Sequence, residues 1–138
     1  STMSTNDAQK IKEVLTKYSR NWEAMDWDGL KNIWDKDYPH ILYIPEERPQ
    51  PVSGWKGIEQ YFENAAQSVV SVHAMQLSSI TIDVFDDTAY AFCDFYFEAD
   101  IKRLPETFKT NGRDTFILRR KKGDWKVIHY HESRPHSV

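Results

Sequence analysis

The segment AYAFCDFYFEADIK, residues 89–102, decides the fold class. Successive residues of a β-strand point to opposite faces of the sheet, so the segment divides into two sets. One set is apolar and consists of Ala91, Cys93, Phe95 and Phe97. The other combines rings with acids and consists of Tyr90, Phe92, Asp94, Tyr96 and Glu98. A small-ligand cavity needs apolar walls and a few polar groups, so we expect the second set to face a pocket.

Similar strand-like runs lie on both sides of this segment at short intervals. In chain order the runs and their turns are Ala74–Phe85, Asp86-Asp87, residues 89–102, Leu104-Pro105, Thr107–Arg120, Lys122-Gly123-Asp124 and Trp125–Glu132. These intervals are too short for the helical crossovers that join parallel strands. The sequence therefore predicts a meander of long antiparallel strands.

The last two runs extend the predicted pocket face. In the third run Phe108, Asp114, Phe116 and Leu118 share the inner face. In the fourth run Ile128, Tyr130 and Glu132 point inward, and the outer set is Trp125, Val127, His129 and His131. If Asp94, Asp114 and Glu132 converge in a dry cavity, desolvation and like charge will raise the pKa of at least one of them.

The first half of the chain is helical by its apolar period. A stripe predicts a first helix of about five turns, and its members are Ile11, Val14, Leu15, Tyr18, Trp22 and Met25. We expect its N-cap among Ser4, Thr5 and Asn6, with Asp7 in the first turn. A second helix carries Leu30, Ile33 and Trp34, and a third carries Ile58, Tyr61, Phe62 and Ala65.

A short strand at His40–Ile44 and a proline-rich loop separate the second and third helices. The fold class predicted from these elements is α+β. Three N-terminal helices pack on a strongly curved antiparallel sheet, which forms a cone-shaped half barrel that encloses a pocket.

Length and charge limit the classes of function. The 138 residues predict a single domain, 1–138, and the net charge of −3 argues against a nucleic-acid partner. No apolar run is long enough for a membrane span, and the lone Cys93 fits a cytoplasmic protein. We expect the basic run at residues 119–122 to be a solvated hairpin end. Residues 1–3 are expected to be a remnant of a cleaved expression tag, or disordered.

Four motifs carry a resemblance to a known superfamily. They are WDGL at residues 27–30, VSGWKGI at 52–58, GRDTF at 112–116 and GDWKVIHYHES at 123–133. With the order of elements, they resemble the nuclear transport factor 2-like superfamily and, within it, the SnoaL-like and ketosteroid-isomerase-like groups. The last motif also resembles the association (hub) domain of calmodulin-dependent kinase II. This resemblance implies a cystatin-like half barrel.

The resemblance implies specific roles. Ketosteroid isomerase implies an oxyanion-hole tyrosine at Tyr18 and a protonated acid at Asp114, whereas its general base falls on Pro45, next to Glu46 and Glu47. The hub domain implies a pocket histidine at His73, and its two pocket arginines fall on Phe116 and Glu132. Related dehydratases imply an Asp–His pair at Asp26 and His73.

Alternatives remain open at several of these positions. Tyr18 could fill the core, His73 could be a surface histidine, and Asp26 could cap the second helix. His129 and His131 share a strand face but lack a third ligand at a fixed spacing, so no metal site is predicted. We interpret them as packing or interface residues on the outer face.

The candidate catalytic residues are therefore Tyr18, Asp114 and His73. The candidate ligand-binding residues are Trp34, Phe62, Phe92, Asp94, Tyr96, Phe116, Tyr130 and Glu132. They lead to the hypothesis of a cofactor-free isomerase, dehydratase or cyclase acting on a small, largely apolar carbonyl or hydroxyl compound. The alternatives are a binding protein without chemistry and an oligomerisation module. A homodimer through the outer sheet face is also expected.

Overall fold

The computed structural model describes residues 2–136, with side chains for residues 6–136. The helices are α1 (Thr2–Ala24), α2 (Trp27–Asn32) and α3 (Gly54–Ser68). The strands are β1 (Leu42–Ile44), β2 (Val52–Ser53), β3 (Val69–Phe85), β4 (Thr88–Ile101), β5 (Phe108–Lys121) and β6 (Asp124–Ser133). The α+β class with three helices preceding a long meander is confirmed.

One curved sheet of six strands has the order β2-β1-β6-β5-β4-β3. The meander β3 to β6 is antiparallel, as predicted, but β1 pairs parallel to β6, which makes the sheet mixed. This difference arises because the three-residue β1, which pairs antiparallel with β2 on one side, joins the last strand of the meander on its other side. Leu42 lies opposite His129 in this parallel pair.

The apolar stripe of α1 packs on the inner face of the sheet. Ile11, Leu15, Tyr18 and Trp22 are all buried, and they join the core with α3 residues such as Phe62. The helix begins at Thr2, so the predicted cap at residues 4–6 is wrong. Ser1 lies outside the described residues. Among those residues, no helix combines the length and apolar character needed to cross a membrane.

The two faces of β4 are the reverse of the prediction. Ala91 and Cys93 are fully buried beneath the helices, whereas Phe92 is 37% exposed and Asp94 is exposed. The apolar set faces inward because burial of its whole surface is more favourable than burial of a set that includes carboxylates. The mixed set that includes Tyr96 therefore lies on the outer face.

A β-bulge changes the parity of β6. The pairing shifts between Ile117 opposite His129 and Leu118 opposite Val127. The extra residue in β6 returns Val127 and Trp125 to the buried side, at 0% and 3% exposure. The prediction that both face outward is therefore wrong.

Strand β3 forms one edge of the sheet and is irregular along its length. Its pairing with β4 shifts at three places: between Val69 and Ser71, between Val72 and Ala74, and between Ser78 and Thr81. Ser79 adopts a positive φ of 54° at the last of these shifts. The irregularities bend the strand and increase its local twist, which contributes to the curvature of the sheet.

The basic run at residues 119–122 is largely paired rather than solvated. Arg120 donates two hydrogen bonds to Asp7, at 2.8 and 2.9 Å. Lys121 Nζ donates to Asp35 Oδ1 at 2.8 Å and to Asp37 Oδ2 at 2.6 Å. These ion pairs connect the β5–β6 hairpin to the helical layer, away from the cavity described below.

Candidate functional site

A cavity of about 460 Å³ opens between the helices and the inner face of the sheet. Its apolar wall includes Trp22, Met75, Phe95, Phe97 and Phe108. Its polar wall includes Tyr18, Tyr43, Tyr61, Glu46, Glu47 and Glu132. Apolar walls with a few polar groups at one end are typical of small-molecule sites, and the volume suits a compound of modest size.

An acid–phenol–acid cluster lies at the closed end of this cavity. Asp114 and Glu132 are directly opposite each other in the β5–β6 ladder, and Tyr130 precedes Glu132 by two residues on the same face. The Tyr130 hydroxyl lies 2.8 Å from Asp114 Oδ1 and 2.6 Å from Glu132 Oε2. Glu132 lines the cavity, while Asp114 and Tyr130 lie behind it, fully or almost fully buried.

The cluster needs two protons to satisfy both contacts. A phenol has one proton, so Tyr130 can donate to only one of the two acids. The other acid must then be protonated and donate to the phenol oxygen, or two lone pairs would face each other at hydrogen-bond distance. The distance of 2.6 Å to Glu132 is typical of a hydroxyl donating to a carboxylate. We therefore assign the acid proton to Asp114.

Electrostatics favour this assignment. Burial, followed by the charge of Glu132, raises the pKa of Asp114 from 3.8 to about 8. Burial also raises the pKa of Glu132, from 4.5 to about 7, although the Tyr130 hydroxyl and the Glu46 amide oppose the rise. Asp114 Oδ2 has no hydrogen-bond partner among the described residues. An uncharged Asp114 reduces the cost of leaving that oxygen buried and unpaired.

The loop that follows β1 adds two further glutamates to the cavity. The Glu46 amide donates to Glu132 Oε1 at 2.8 Å, which fixes the second oxygen of that carboxyl. Thr110 donates to Glu46 Oε1 at 3.3 Å, and the Tyr61 hydroxyl donates to Glu47 Oε2 at 2.7 Å. The sequence placed both glutamates next to Pro45 but could not predict their orientation.

Four tyrosine rings surround the closed end. Tyr43 stacks on Tyr130 at 4.7 Å between centroids and lies 4.6 Å from Tyr61, while Tyr18 lies 5.4 Å from Tyr130. Burial raises the pKa of each phenol well above its ordinary value. The hydroxyls therefore remain protonated and can donate hydrogen bonds. Tyr43 and Tyr61 were missed because their segments predict only a short strand and a helix face.

A tryptophan provides a further polar atom at the wall. Trp22 lines the cavity, and its buried Nε1 has no hydrogen-bond partner among the described residues. An N–H that is buried without a partner costs about 1–3 kcal/mol. A ligand oxygen in the cavity could remove this cost, so Trp22 is a candidate binding residue that its position in the apolar stripe did not indicate.

Apart from His73, the sequence-predicted site residues fall into three groups. Tyr18, Asp114, Tyr130 and Glu132 come together at the closed end. Trp34, Phe62 and Phe116 are buried in the core at 3%, 0% and 1% exposure and do not line the cavity. Phe92, Asp94 and Tyr96 lie on the outer face because the parity of β4 is reversed.

His73 also lies away from the cavity. It occupies the β3 irregularity between Val72 and Ala74, is exposed, and places Nε2 2.8 Å from Asp100 Oδ2. The proposed partner Asp26 instead caps α2, accepting a hydrogen bond from the Gly29 amide at 2.9 Å. The Asp26–His73 pair implied by the dehydratase resemblance is therefore not assembled here.

His129 and His131 lie near each other, with ring centroids 6.0 Å apart. Burial, followed by the charge of His131, lowers the pKa of His129. Among residues 2–136 there is no group of three His, Cys, Asp or Glu side chains arranged to hold a metal ion. The expectations of no metal and no cofactor stay predictions.

Comparison with protein families identifies the class. The family model described as "SnoaL-like domain" matches residues 11–137. The chain therefore belongs to the SnoaL-like domain family, which confirms the resemblance noted in its motifs. A search of the curated proteins found no match.

Solved structures have the same fold at low sequence identity. A provisionally described dehydratase of the NTF2-like family from Streptomyces avermitilis has a TM-score of 0.83 and 17% identity, covering 96% of this chain and 99% of that chain. An NTF2-like superfamily protein from Salmonella enterica serovar Typhimurium has a TM-score of 0.83 and 21% identity, covering 97% and 94%.

A provisionally described calcium/calmodulin-dependent protein kinase II association domain from Xanthomonas campestris is also similar. Its TM-score is 0.75 at 17% identity, and the match covers 95% of this chain and 89% of that chain. At these identities the likeness shows the fold alone, which is the NTF2-like fold.

Proposed function

We propose that this protein binds a small, largely apolar compound with a carbonyl or hydroxyl group and catalyses proton transfer on it without a cofactor. The reaction would be that of an isomerase, a dehydratase or a cyclase. The observation that carries this proposal is the position of Glu132. Its carboxyl lines the cavity, and its oxygens are held by the Tyr130 hydroxyl and the Glu46 amide.

Glu132 is the proton carrier in this mechanism. A general base works best when its pKa lies near the operating pH, and the pKa of Glu132 is about 7. As a carboxylate it removes a proton from a carbon next to the substrate carbonyl. It then returns that proton to another carbon, in an isomerisation, or to a departing hydroxyl, in a dehydration.

The developing negative charge on the substrate oxygen needs hydrogen-bond donors. The Tyr18 hydroxyl lines the cavity and stays protonated because burial raises its pKa. The unpartnered Nε1 of Trp22 is a second donor in the same wall. Preorganised donors of this kind stabilise an oxyanion more in a dry site than in water. The name of the Streptomyces protein, a dehydratase, is consistent with this chemistry.

The test uses deuterium exchange, which reports proton abstraction whatever product is formed. The protein is incubated in deuterium oxide with a panel of small aryl ketones and β-hydroxy ketones. Proton NMR then records exchange next to the carbonyl, and mass spectrometry records loss of water. We expect Glu132→Gln to slow exchange about 100-fold or more. Asp94→Asn makes the same chemical change on the outer face and serves as the matched control.

Two results would count against the enzyme proposal. One is exchange that is equally fast in the wild type and in Glu132→Gln. The other is saturable binding of panel compounds with no exchange or product. The second result would favour the alternative of a binding protein without chemistry. That alternative is motivated by Pro45, which occupies the position where the resemblance places a general base.

A second role, as an assembly module, is favoured by apolar rings on the outer face. Phe85 is 62% exposed and Phe92 37% exposed on neighbouring strands. We propose that a second copy of this chain covers them in a homodimer. Light scattering should give twice the chain mass for the wild type and a monomer for Phe85→Ser/Phe92→Ser. A monomeric wild type would rule the dimer out.

We also propose a cytoplasmic location, consistent with the single buried thiol of Cys93.

A further inference from the structure

The cationic side chains that line the cavity lie at its solvent end. Tyr18 and Tyr43 at the closed end are each 2% exposed, next to the acid cluster. The solvent end carries Arg48, from the loop after β1, and Arg103, from the β4–β5 turn. Both arginines are exposed, and both contribute to the cavity wall. The solvent end therefore carries two guanidinium groups as well as the exposed carboxylate of Glu47.

Neither guanidinium group forms an ion pair with the acids near it in the described part of the chain. Among the described residues, no ion pair includes Arg48 or Arg103. The two loop glutamates have other partners, because Glu46 Oε2 lies 3.4 Å from Arg134 Nε and Glu47 accepts the Tyr61 hydroxyl. Two arginines that line the cavity thus remain available to a ligand.

The Arg48 side chain and the turn that carries Arg103 are both held in place at the entrance. The Arg48 guanidinium lies over the Tyr61 ring, with 5.2 Å between Cζ and the ring centroid. The turn that carries Arg103 is closed by a hydrogen bond from the Leu104 amide to the Ile101 carbonyl at 3.0 Å. Thr107 also donates to Asp100 Oδ1 at 2.7 Å, which braces the same turn.

We propose that the ligand is an amphipathic anion with a carboxylate at the Arg48 and Arg103 end. Its apolar body would lie along Phe97 and Phe108, and its carbonyl or hydroxyl group would reach Glu132. The planar guanidinium suits a carboxylate because it can donate two parallel hydrogen bonds. This inference rests on the proposed function and adds a substrate class to it.

The experiment compares aryl-keto acids with their methyl esters, which have the same body without the charge. Isothermal titration calorimetry gives the ratio of the two dissociation constants for each variant. We expect the acid to bind more tightly by about fivefold for each arginine it contacts. Arg48→Gln and Arg103→Gln should each lower that ratio, with no change for the ester. Lys102→Gln, which removes the same charge beside the turn but outside the cavity wall, should leave the ratio unchanged.

The outcomes separate this inference from the proposed function. Equal affinities of acid and ester in the wild type, or a ratio that both arginine substitutions leave intact, would overturn the anion preference. If the ester still exchanged deuterium in a Glu132-dependent way, the proposed function would stand. If no acid or ester bound, the anion preference would fall, and deuterium exchange on the neutral ketones would still decide the proposed function. The ratio should also shrink as salt is raised, since partly exposed ion pairs are screened.

Discussion

Replacement of Asp114 by Asn tests the proton assignment in the buried cluster. The side chain is 0% exposed, and its amide replacement has nearly the same shape without an ionisable group. In the wild type, the folded state holds the Asp114 proton with a pKa of about 8, against 3.8 in the unfolded chain. Between pH 3.8 and about pH 8, the Asp114 carboxyl is protonated in the folded state and ionised in the unfolded chain, so unfolding releases a proton.

The sign and size of the effect follow from proton linkage. Because the pKa is raised on folding, the contribution of Asp114 is most favourable below pH 3.8 and is lost as the pH rises toward about 8. Each pH unit in this window lowers the free energy of unfolding by about 1.4 kcal/mol. From pH 5 to pH 8 the wild type therefore loses about 4 kcal/mol that Asp114→Asn does not lose.

Urea unfolding at several values between pH 5 and pH 8, followed by tryptophan fluorescence, measures this difference. We expect the stability of the Asn variant relative to the wild type to rise steadily with pH. Asp94→Asn, an exposed carboxylate on the same sheet, should keep the wild-type pH dependence. Parallel pH curves for the wild type and Asp114→Asn would refute the reasoning, because Asp114 would then be ionised in the folded state.

Two further substitutions test the geometry around this cluster. Tyr130→Phe removes the hydroxyl shared by the two acids and should lower the free energy of unfolding in urea by about 2 kcal/mol. The control is Tyr96→Phe, which removes a hydroxyl that donates to Glu98 from a half-exposed ring and should cost under about 0.5 kcal/mol. Equal losses of stability in the two variants would contradict the burial argument. Gly112→Ala would drive its Cβ into the Ser133 carbonyl and should cost about 1–3 kcal/mol. Thermal unfolding compares Gly112→Ala with the control Gly57→Ala, whose new Cβ would meet only a Val52 methyl group at 3.3 Å. An unchanged melting temperature for Gly112→Ala would contradict the predicted clash.

The sequence predicted the meander and the inward position of all three members of the acid–phenol–acid cluster for physical reasons. An Asp-Asp pair, a proline and a glycine each mark one of the three turns between the long strands. The alternation of side chains along β5 and β6 correctly placed Asp114, Tyr130 and Glu132 on the inner face. The spacing of the α1 stripe predicted the inward position of Tyr18, and only the resemblance to ketosteroid isomerase implied a role for it in the site. These signals are local, and because strands that are consecutive in the chain also pair in the sheet, they are enough to predict which residues become neighbours.

What the sequence could not predict depends on longer-range features. Both faces of β4 carry aromatic rings, so alternation alone could not show that Phe95 faces the cavity and Phe92 faces out. The β6 bulge is not marked by glycine, and it moved Trp125 to the core. Glu47 lies in a proline-rich loop without periodicity, so only the packing of that loop on α3 fixes where its carboxyl points.

The irregular course of β3 also affects how the protein behaves toward other chains. A strand at the edge of a sheet leaves backbone N–H and C=O groups unpaired on one side, and a long straight edge can recruit another strand and begin aggregation. Strand β3 is 17 residues long, but its three pairing shifts and the positive φ of Ser79 divide it into short straight pieces. None of these pieces offers an incoming strand a long, continuous register. The same bends that contribute to the curvature of the sheet therefore help to protect the concentrated protein from aggregation through this edge.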